Sequence, residues 1–196
     1  MFVNLFAKGL ENQMVEELVD IFDENQNVVG VETKKDAHKK GLWHQASHVW
    51  IYNSKGEILL QLRAKNKDSY PGLWDISAAG HISAGESPEV AAVRELFEEI
   101  GIKIKPKDLK KIFVRKVSQI VRPDFINKEF DHVFLWKYDG DKSKLKLQKE
   151  EVDKLESIPI KRFESELKDP KLKKAYVPHG KYYDDVIAAI RKELGE

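Results

Sequence analysis

Apolar positions recur with two different periods along this chain, and each change of period marks an element. Leu5, Leu10, Met14 and Leu18 follow roughly helical intervals over residues 1–19. "VDIFDENQNVVGVETK" alternates instead, and predicts two short strands around a turn at Asp23–Asn27. "SHVWIYN" and "EILLQLR" predict two strands, joined by the hairpin signal Asn53-Ser54-Lys55-Gly56. "DISAAGH" reads as a short buried strand, and "KIFVRKVSQIV" and "EFDHVFLWKY" as two more. "DAHKKGLWHQA" and "AKNKDSYPGLW" read as loops, and "DGDKSKLKLQKEE" as a charged, solvated connection. Helical spacing returns after Ser87, over 160–167, and over 181–194, where Val186, Ile187, Ile190 and Leu194 form a stripe. Strands and helices mix irregularly, without repeats or low-complexity linkers. That predicts a single-domain α/β fold, a mixed β-sheet with helices packed on it. The expected division is an N-terminal extension over 1–17, the main domain over 18–165 and a C-terminal segment with a packed helix over 166–196. Met14 could equally be a start, so the pattern leaves open whether 1–13 are native.

The helix in "GHISAGESPEVAAVRELFEEIGI" (Gly80 to Ile102) has clear boundaries and misplaced charge. Ser87 is placed to cap it, Pro88 fits its first position, Glu89 suits the first turn and Gly101 the C′ position. At 3.6 residues per turn, Val90, Val93, Leu96, Phe97 and Ile100 fall within about 120° and are the expected core face. Glu95, Glu98 and Glu99 fall on the other side, within about 100°. Like charges at i,i+3 and i,i+4 repel by roughly 0.2–0.5 kcal/mol each. The negative end of the helix dipole opposes the same three groups. Alone, such a triplet reads as a solvated face. Its surroundings change that: Gly80 and Gly85 flank a loop, Glu86 follows, and Arg94 is placed to grip Glu86 through a bidentate pair. A divalent cation would reverse the sign of both unfavourable terms.

Composition narrows the chemistry. The 196 residues carry 41% hydrophobic side chains, enough for one well-cored domain, and a formal net charge of +1. No global basic field points to a nucleic-acid polymer. No apolar run approaches the roughly 18 residues that span a membrane, and the N-terminus is a poor signal peptide. Cysteine is absent, which excludes disulfides, thiolate ligands and a cysteine nucleophile, and suits a cytoplasmic enzyme. Oxygen-only ligands point to a hard ion, Mg²⁺ or Mn²⁺.

The pattern resembles the Nudix hydrolases, whose box reads G-x5-E-x7-R-E-U-x-E-E-x-G-U, with U a bulky apolar residue. Here Gly80, Glu86, Arg94, Glu95, Leu96, Glu98, Glu99, Gly101 and Ile102 fill every fixed position. The resemblance implies an α/β/α sandwich with a loop-helix-loop diphosphate site. It implies that Glu95, Glu98 and Glu99, with the Gly80 carbonyl, hold the metal, and that Glu86 and Arg94 stiffen the loop. Glu95 and Glu98 are both candidate bases. Beyond the box, the chain is similar to the branch containing isopentenyl diphosphate isomerase, through "RAKNK", "PGLW" and the Gly80-His81 pair. That likeness makes His38 (one residue off in spacing), His44 and His81 counterparts of the isomerase's metal histidines, and Glu129 a further candidate ligand or base. The isomerase needs a thiol where this chain has Ala79, and a glutamate where it has Asn127. Isomerization adds a proton at one carbon and removes one at another. With both groups replaced, hydrolysis is the expected reaction.

The substrate expected is a small diphosphate, such as a nucleoside diphosphate derivative. Trp74, Tyr70 and Phe125 are candidates for stacking on its leaving group, and Arg63, Lys65 and Lys67 for attracting phosphate. The sequence leaves open which diphosphate is cleaved, how many metal ions act, and whether the chain forms a homodimer.

Overall fold

The computed structural model describes residues 16–196. The helical pattern expected at the N-terminus therefore lies almost wholly outside the described residues. Where they begin, a hairpin of β1 (Leu18–Phe22) and β2 (Val28–Thr33) turns at Asp23, whose Oδ1 accepts from the Asn25 and Asn27 amides, both at 2.9 Å. Next comes a helix where a loop is expected. The helix α1 (Lys34–Lys40) is capped by Thr33, whose hydroxyl accepts from Asp36 N, and ends at Gly41 with φ 61°. The threonine cap, the acid at Asp36 and the C-terminal glycine are all start and stop signals, but seven residues are too few to show a period. Its short length hid it, and it places His38 on a rigid element.

The strands β3 (His44–Tyr52), β4 (Glu57–Arg63), β5 (Trp74–Asp75), β6 (Ala78–His81), β7 (Lys110–Arg122), β8 (Phe125–Lys137) and β9 (Val152–Pro159) form one mixed sheet. Its order is β5-β4-β3-β8-β7, with β6 added on β3 and β9 on β4. The pairing of β3 with β8 is parallel, and those of β3–β4, β3–β6, β4–β9 and β7–β8 are antiparallel. Two cores form, one on each face. On one side, α2 (Pro88–Ile100) lays Ala92, Leu96 and Ile100 over Val49, Ile51 and Phe134. On the other, α3 (Ile160–Lys168) and α4 (Tyr182–Leu194) bury Phe163, Val186, Ile187 and Ile190 against Trp50, Ile58 and Leu135. Alternating residues of β3 supply both cores, so its middle is apolar on both faces. The result is an α/β/α sandwich. None of the described helices is long and apolar enough to cross a membrane.

Candidate active site

The helix α2 is built as its signals foretell. Ser87 accepts from Val90 N at 3.4 Å, and Gly101 (φ 74°) ends the helix, with its own N–H and that of Ile102 donating to Phe97 and Leu96 carbonyls. Its buried face differs from the expected one. Val90 and Phe97 are 47% and 48% exposed, whereas Ala91, Ala92, Leu96, Glu99 and Ile100 are buried. The helix is rotated toward its glutamates, so the sheet buries one of them. Size explains the shift: Ala91 and Ala92 let α2 approach the sheet more closely than Val90 or Phe97 would allow.

Arg94 organises the loop before the helix. Its Nε and Nη2 donate to the two oxygens of Glu86 at 3.1 and 2.9 Å, and Nη2 also reaches the His81 carbonyl at 2.9 Å. Glu86 accepts in addition from Ser83 N at 3.2 Å, which closes the loop on itself. Arg94 Nη1 then turns to Glu95 at 2.6 Å and Glu98 at 3.1 Å. Burial pushes Glu95 up to about 7, against the pull of Arg94 and with the Glu98 charge adding to the rise. Glu99, 4% exposed, is raised well above the carboxylate range by burial and by the charge of Glu95. Its partners are weak, Ala79 N at 3.3 Å and Gln61 Nε2 at 3.5 Å. A Cβ at Gly80 would overlap the Glu95 carboxylate, so glycine is needed there for close approach. Two buried acids beside a bare backbone form an oxygen-rich pocket that suits a hard cation.

A second donor group lies beside the first. His38 on α1, His44 on β3, His81 on β6 and Glu129 on β8 bring four ligand atoms within 4.8 Å of one another. His44 Nδ1 donates to the Leu42 carbonyl at 2.9 Å and His38 Nδ1 to Ile126 O at 3.4 Å, so both Nε2 lone pairs turn inward. His44 Nε2 is buried without a partner among the described residues, and so is Asn127 Oδ1. His38 and His81 face each other Nε2 to Nε2 at 3.0 Å, and Glu129 Oε1 lies 3.4 and 3.5 Å from His44 and His81. Burial lowers His38 to about 4 and lowers His81. Burial would raise Glu129, but the adjacent His44 and His81 imidazoles hold it well below its usual range. Imidazoles turned toward a carboxylate, two of them fixed by carbonyls through their other nitrogens, are the arrangement that holds a transition metal.

Both groups open into one cleft of about 620 Å³ at the end of the sheet. Gly80, Glu95, Glu98, Glu99, His38, His81 and Glu129 line it, and so do Arg63, Lys67, Tyr70 and Phe125. Trp74 and Lys65 do not. Trp74 packs against the α4-side core, with Lys154 Nζ 5.4 Å from its ring. Arg63 is already committed: its three nitrogens bond Ser69 O, Asp75 Oδ2 and Ser69 Oγ at 3.0, 3.1 and 3.2 Å. Lys67 is paired with Glu151. Phe125 stacks on His38 at 4.2 Å, and Tyr70, at φ 49°, accepts from Gln119 Nε2 at 2.8 Å.

The cleft also contains residues that sequence reading did not single out. Glu17 and Lys34 form an ion pair at its rim. Asp75, Arg115, Asp131 and His179 line it too. Arg115 and Asp131 become neighbours only through the β7–β8 register, and His179 arrives from the segment before α4. No spacing in the chain announces such a meeting.

The family model of the NUDIX domain matches residues 42–186. Nudix hydrolase 3 of Arabidopsis thaliana is 41% identical over 186 residues, 87% of this chain, and this chain spans 23% of that longer protein. An isopentenyl-diphosphate Delta-isomerase of Photorhabdus laumondii is 37% identical over 125 residues, covering 64% of this chain and 69% of the isomerase. Among solved structures, DR0079 from Deinococcus radiodurans superposes with a TM-score of 0.63 at 18% identity, over 88% of this chain and 98% of the other, a likeness of fold. With the complete box on α2 and the sandwich around it, the chain belongs to the Nudix superfamily, among members that resemble the isopentenyl diphosphate isomerases.

Proposed function

We propose that this protein is a Mg²⁺-dependent hydrolase of a diphosphate linkage in a nucleoside diphosphate derivative or similar small diphosphate. The observation that carries the reading is the pair of half-buried to buried acids, Glu95 and Glu99, beside Gly80 in the cleft wall. Glu95, Glu98, Glu99 and the Gly80 carbonyl would hold the ion, which would supply charge neutralisation for the diphosphate oxygens. Mn²⁺ has the same ligand preference. A further cation would fit His38, His44, His81 and Glu129. Glu95, beside the ion and held by Arg94, is one candidate base for an attacking water. Glu98, half exposed, is the other candidate base. Arg94 keeps Glu86 and the loop in place, so the acids stay aimed into the cleft.

Isomerization finds less support. Ala79 occupies the strand position before Gly80, with its N–H on Glu99 and no proton to give from its methyl group. Asn127 places an amide oxygen where the isomerase needs an acid. Incubation with Mg²⁺ and a panel of nucleotide sugars, dinucleotides, CoA species and prenyl diphosphates tests the reading. At least one should be cleaved, and isopentenyl diphosphate should not be converted to its allylic isomer. Clean interconversion of that pair, or no cleavage of any diphosphate with metal bound, would overturn it.

A further inference from the structure

The cleft is also lined by charged residues that neither donor group uses. A fixed chain of hydrogen bonds runs through it. Arg115 Nη1 donates to His179 Nδ1 at 3.2 Å, since arginine has no acceptor. His179 therefore carries its proton on Nε2, which donates to Asp75 Oδ1 at 2.8 Å. Asp75 Oδ2 accepts in turn from Arg63 at 3.1 Å. Arg115 is held from below by the Tyr182 ring, 4.5 Å from the guanidinium. Its Nε and Nη2 make no hydrogen bond among the described residues, whereas every nitrogen of Arg63 is occupied. Arg115 is thus, of the two, the arginine with donors to offer.

Beside it, on the next strand, sits Asp131. Its side chain is 1% exposed, and its Oδ1 has no hydrogen-bond partner among the described residues. Two donors face it, both one step too far away. Arg115 Nε lies 3.9 Å from Oδ2 and His48 Nε2 lies 3.9 Å from Oδ1. Trp50 Nε1 donates to the Tyr182 hydroxyl at 2.9 Å, and that hydroxyl meets His48 Nδ1 at 2.9 Å. With the tyrosine proton given to His48 Nδ1, the His48 proton sits on Nε2, toward Asp131. A buried carboxyl without a partner is costly, roughly 1–3 kcal/mol, unless something comes to meet it. A single oxygen about 2.8 Å from both Arg115 Nε and Asp131 Oδ2 would subtend about 90°, within reach of a hydroxyl's donor and acceptor directions.

The geometry points to a recognition site for a hydroxyl-bearing ring, in which the ring hydroxyl accepts from Arg115 and donates to Asp131. This deepens the reading of the chain as a diphosphate hydrolase and rests on it: the ring is the part of the substrate beyond the diphosphate. An alkyl chain would leave both groups unpaired. The ring could be a sugar or a nucleoside ribose, which share this chemistry.

Equilibrium binding to the intact chain separates these sources. Calorimetry is run with Ca²⁺ as the divalent cation, and ligand integrity is checked afterwards. Two matched pairs are compared: a hexose 1-diphosphate against cyclohexyl diphosphate, and ADP against its 2′,3′-dideoxy form. The hydroxylated member of at least one pair should bind about tenfold more tightly or better. Asp131→Ala should erase that preference, and Asp131→Asn, which keeps an acceptor, should retain part of it. No preference in the wild type for either pair overturns the inference, as does a preference that survives Asp131→Ala. An equal loss for both members of a pair does so too, because it marks a purely structural residue. The wild-type comparison and Arg115→Gln remain decisive if Asp131→Ala does not fold. Turnover is not needed, so a chain that discriminates without cleaving keeps this inference and loses the hydrolase reading.

Discussion

At Gly80 the missing side chain is what admits the Glu95 carboxylate beside the backbone. Gly80→Ala should therefore displace that acid. We expect Mg²⁺-dependent turnover to fall at least tenfold, and stability to fall by about 1–3 kcal/mol from overpacking, read by denaturant titration. The same residue shows what the sequence conveys well. Gly80, Glu86, Arg94 and the three helix glutamates are meaningful because they break local rules in a fixed order, and their spacing could be read without coordinates. Glu86 and Arg94 do form the bidentate pair that the spacing suggests. Arg115, Asp131 and His179 carry no such order, since strand register and a distant segment bring them together. Arg63 misleads in the opposite way. Its place in a basic stretch suggests phosphate, yet Ser69 and Asp75 occupy its nitrogens.

Among the elements, α2 carries the main correction. Its limits follow from Ser87 and Gly101, but the face it buries does not follow from an even count of apolar residues. Phe97 lies in the expected core arc and is half exposed, its ring covered by Lys103 at 4.7 Å. Leu96 is wholly buried. Leu96→Ala should thus cost about 2–5 kcal/mol, and Phe97→Ala well under half of that, measured by thermal or urea unfolding. Equal costs would restore the face read from the sequence. The rotation also explains how a helix can bury a glutamate: the two alanines let the glutamate side of α2 settle on the sheet beside Gly80. The helix α1 spans about two turns, too few to show a period, although its cap residues are plain in the sequence.

For the whole molecule, two cores meet at a sheet whose end is polar and titratable, and acid should be felt through the buried histidines. His132 on β8 faces the α2 side, with both ring nitrogens buried and without partners among the described residues. Burial, with the nearby Lys111 charge adding to it, lowers it to about 4. An unfolded histidine, near 6.5, takes its proton first as pH falls. The unfolded state then binds more protons, so the contribution of His132 is intact above pH 6.5 and is lost as pH drops toward 4. The buried acids Glu95 and Glu99 act in the opposite direction, holding protons in the folded state. A difference measurement isolates the histidine. Relative to wild type, His132→Leu should gain stability as pH falls below 6.5, by up to about 1.4 kcal/mol per pH unit. A pH-independent difference between the two proteins would show that His132 does not titrate this way.

On the proposed reading, the acids on α2 hold the chemistry of a diphosphate hydrolase. The most direct test of that reading compares wild type with Glu98→Gln and Glu99→Gln across a Mg²⁺ titration, on whichever diphosphate the panel shows to be cleaved. Product release should rise with Mg²⁺ in the wild type and fall by about 100-fold or more in each variant, with both variants folded. Cleavage that persists undiminished in folded Glu98→Gln and Glu99→Gln, or that proceeds equally without a divalent cation, would contradict it.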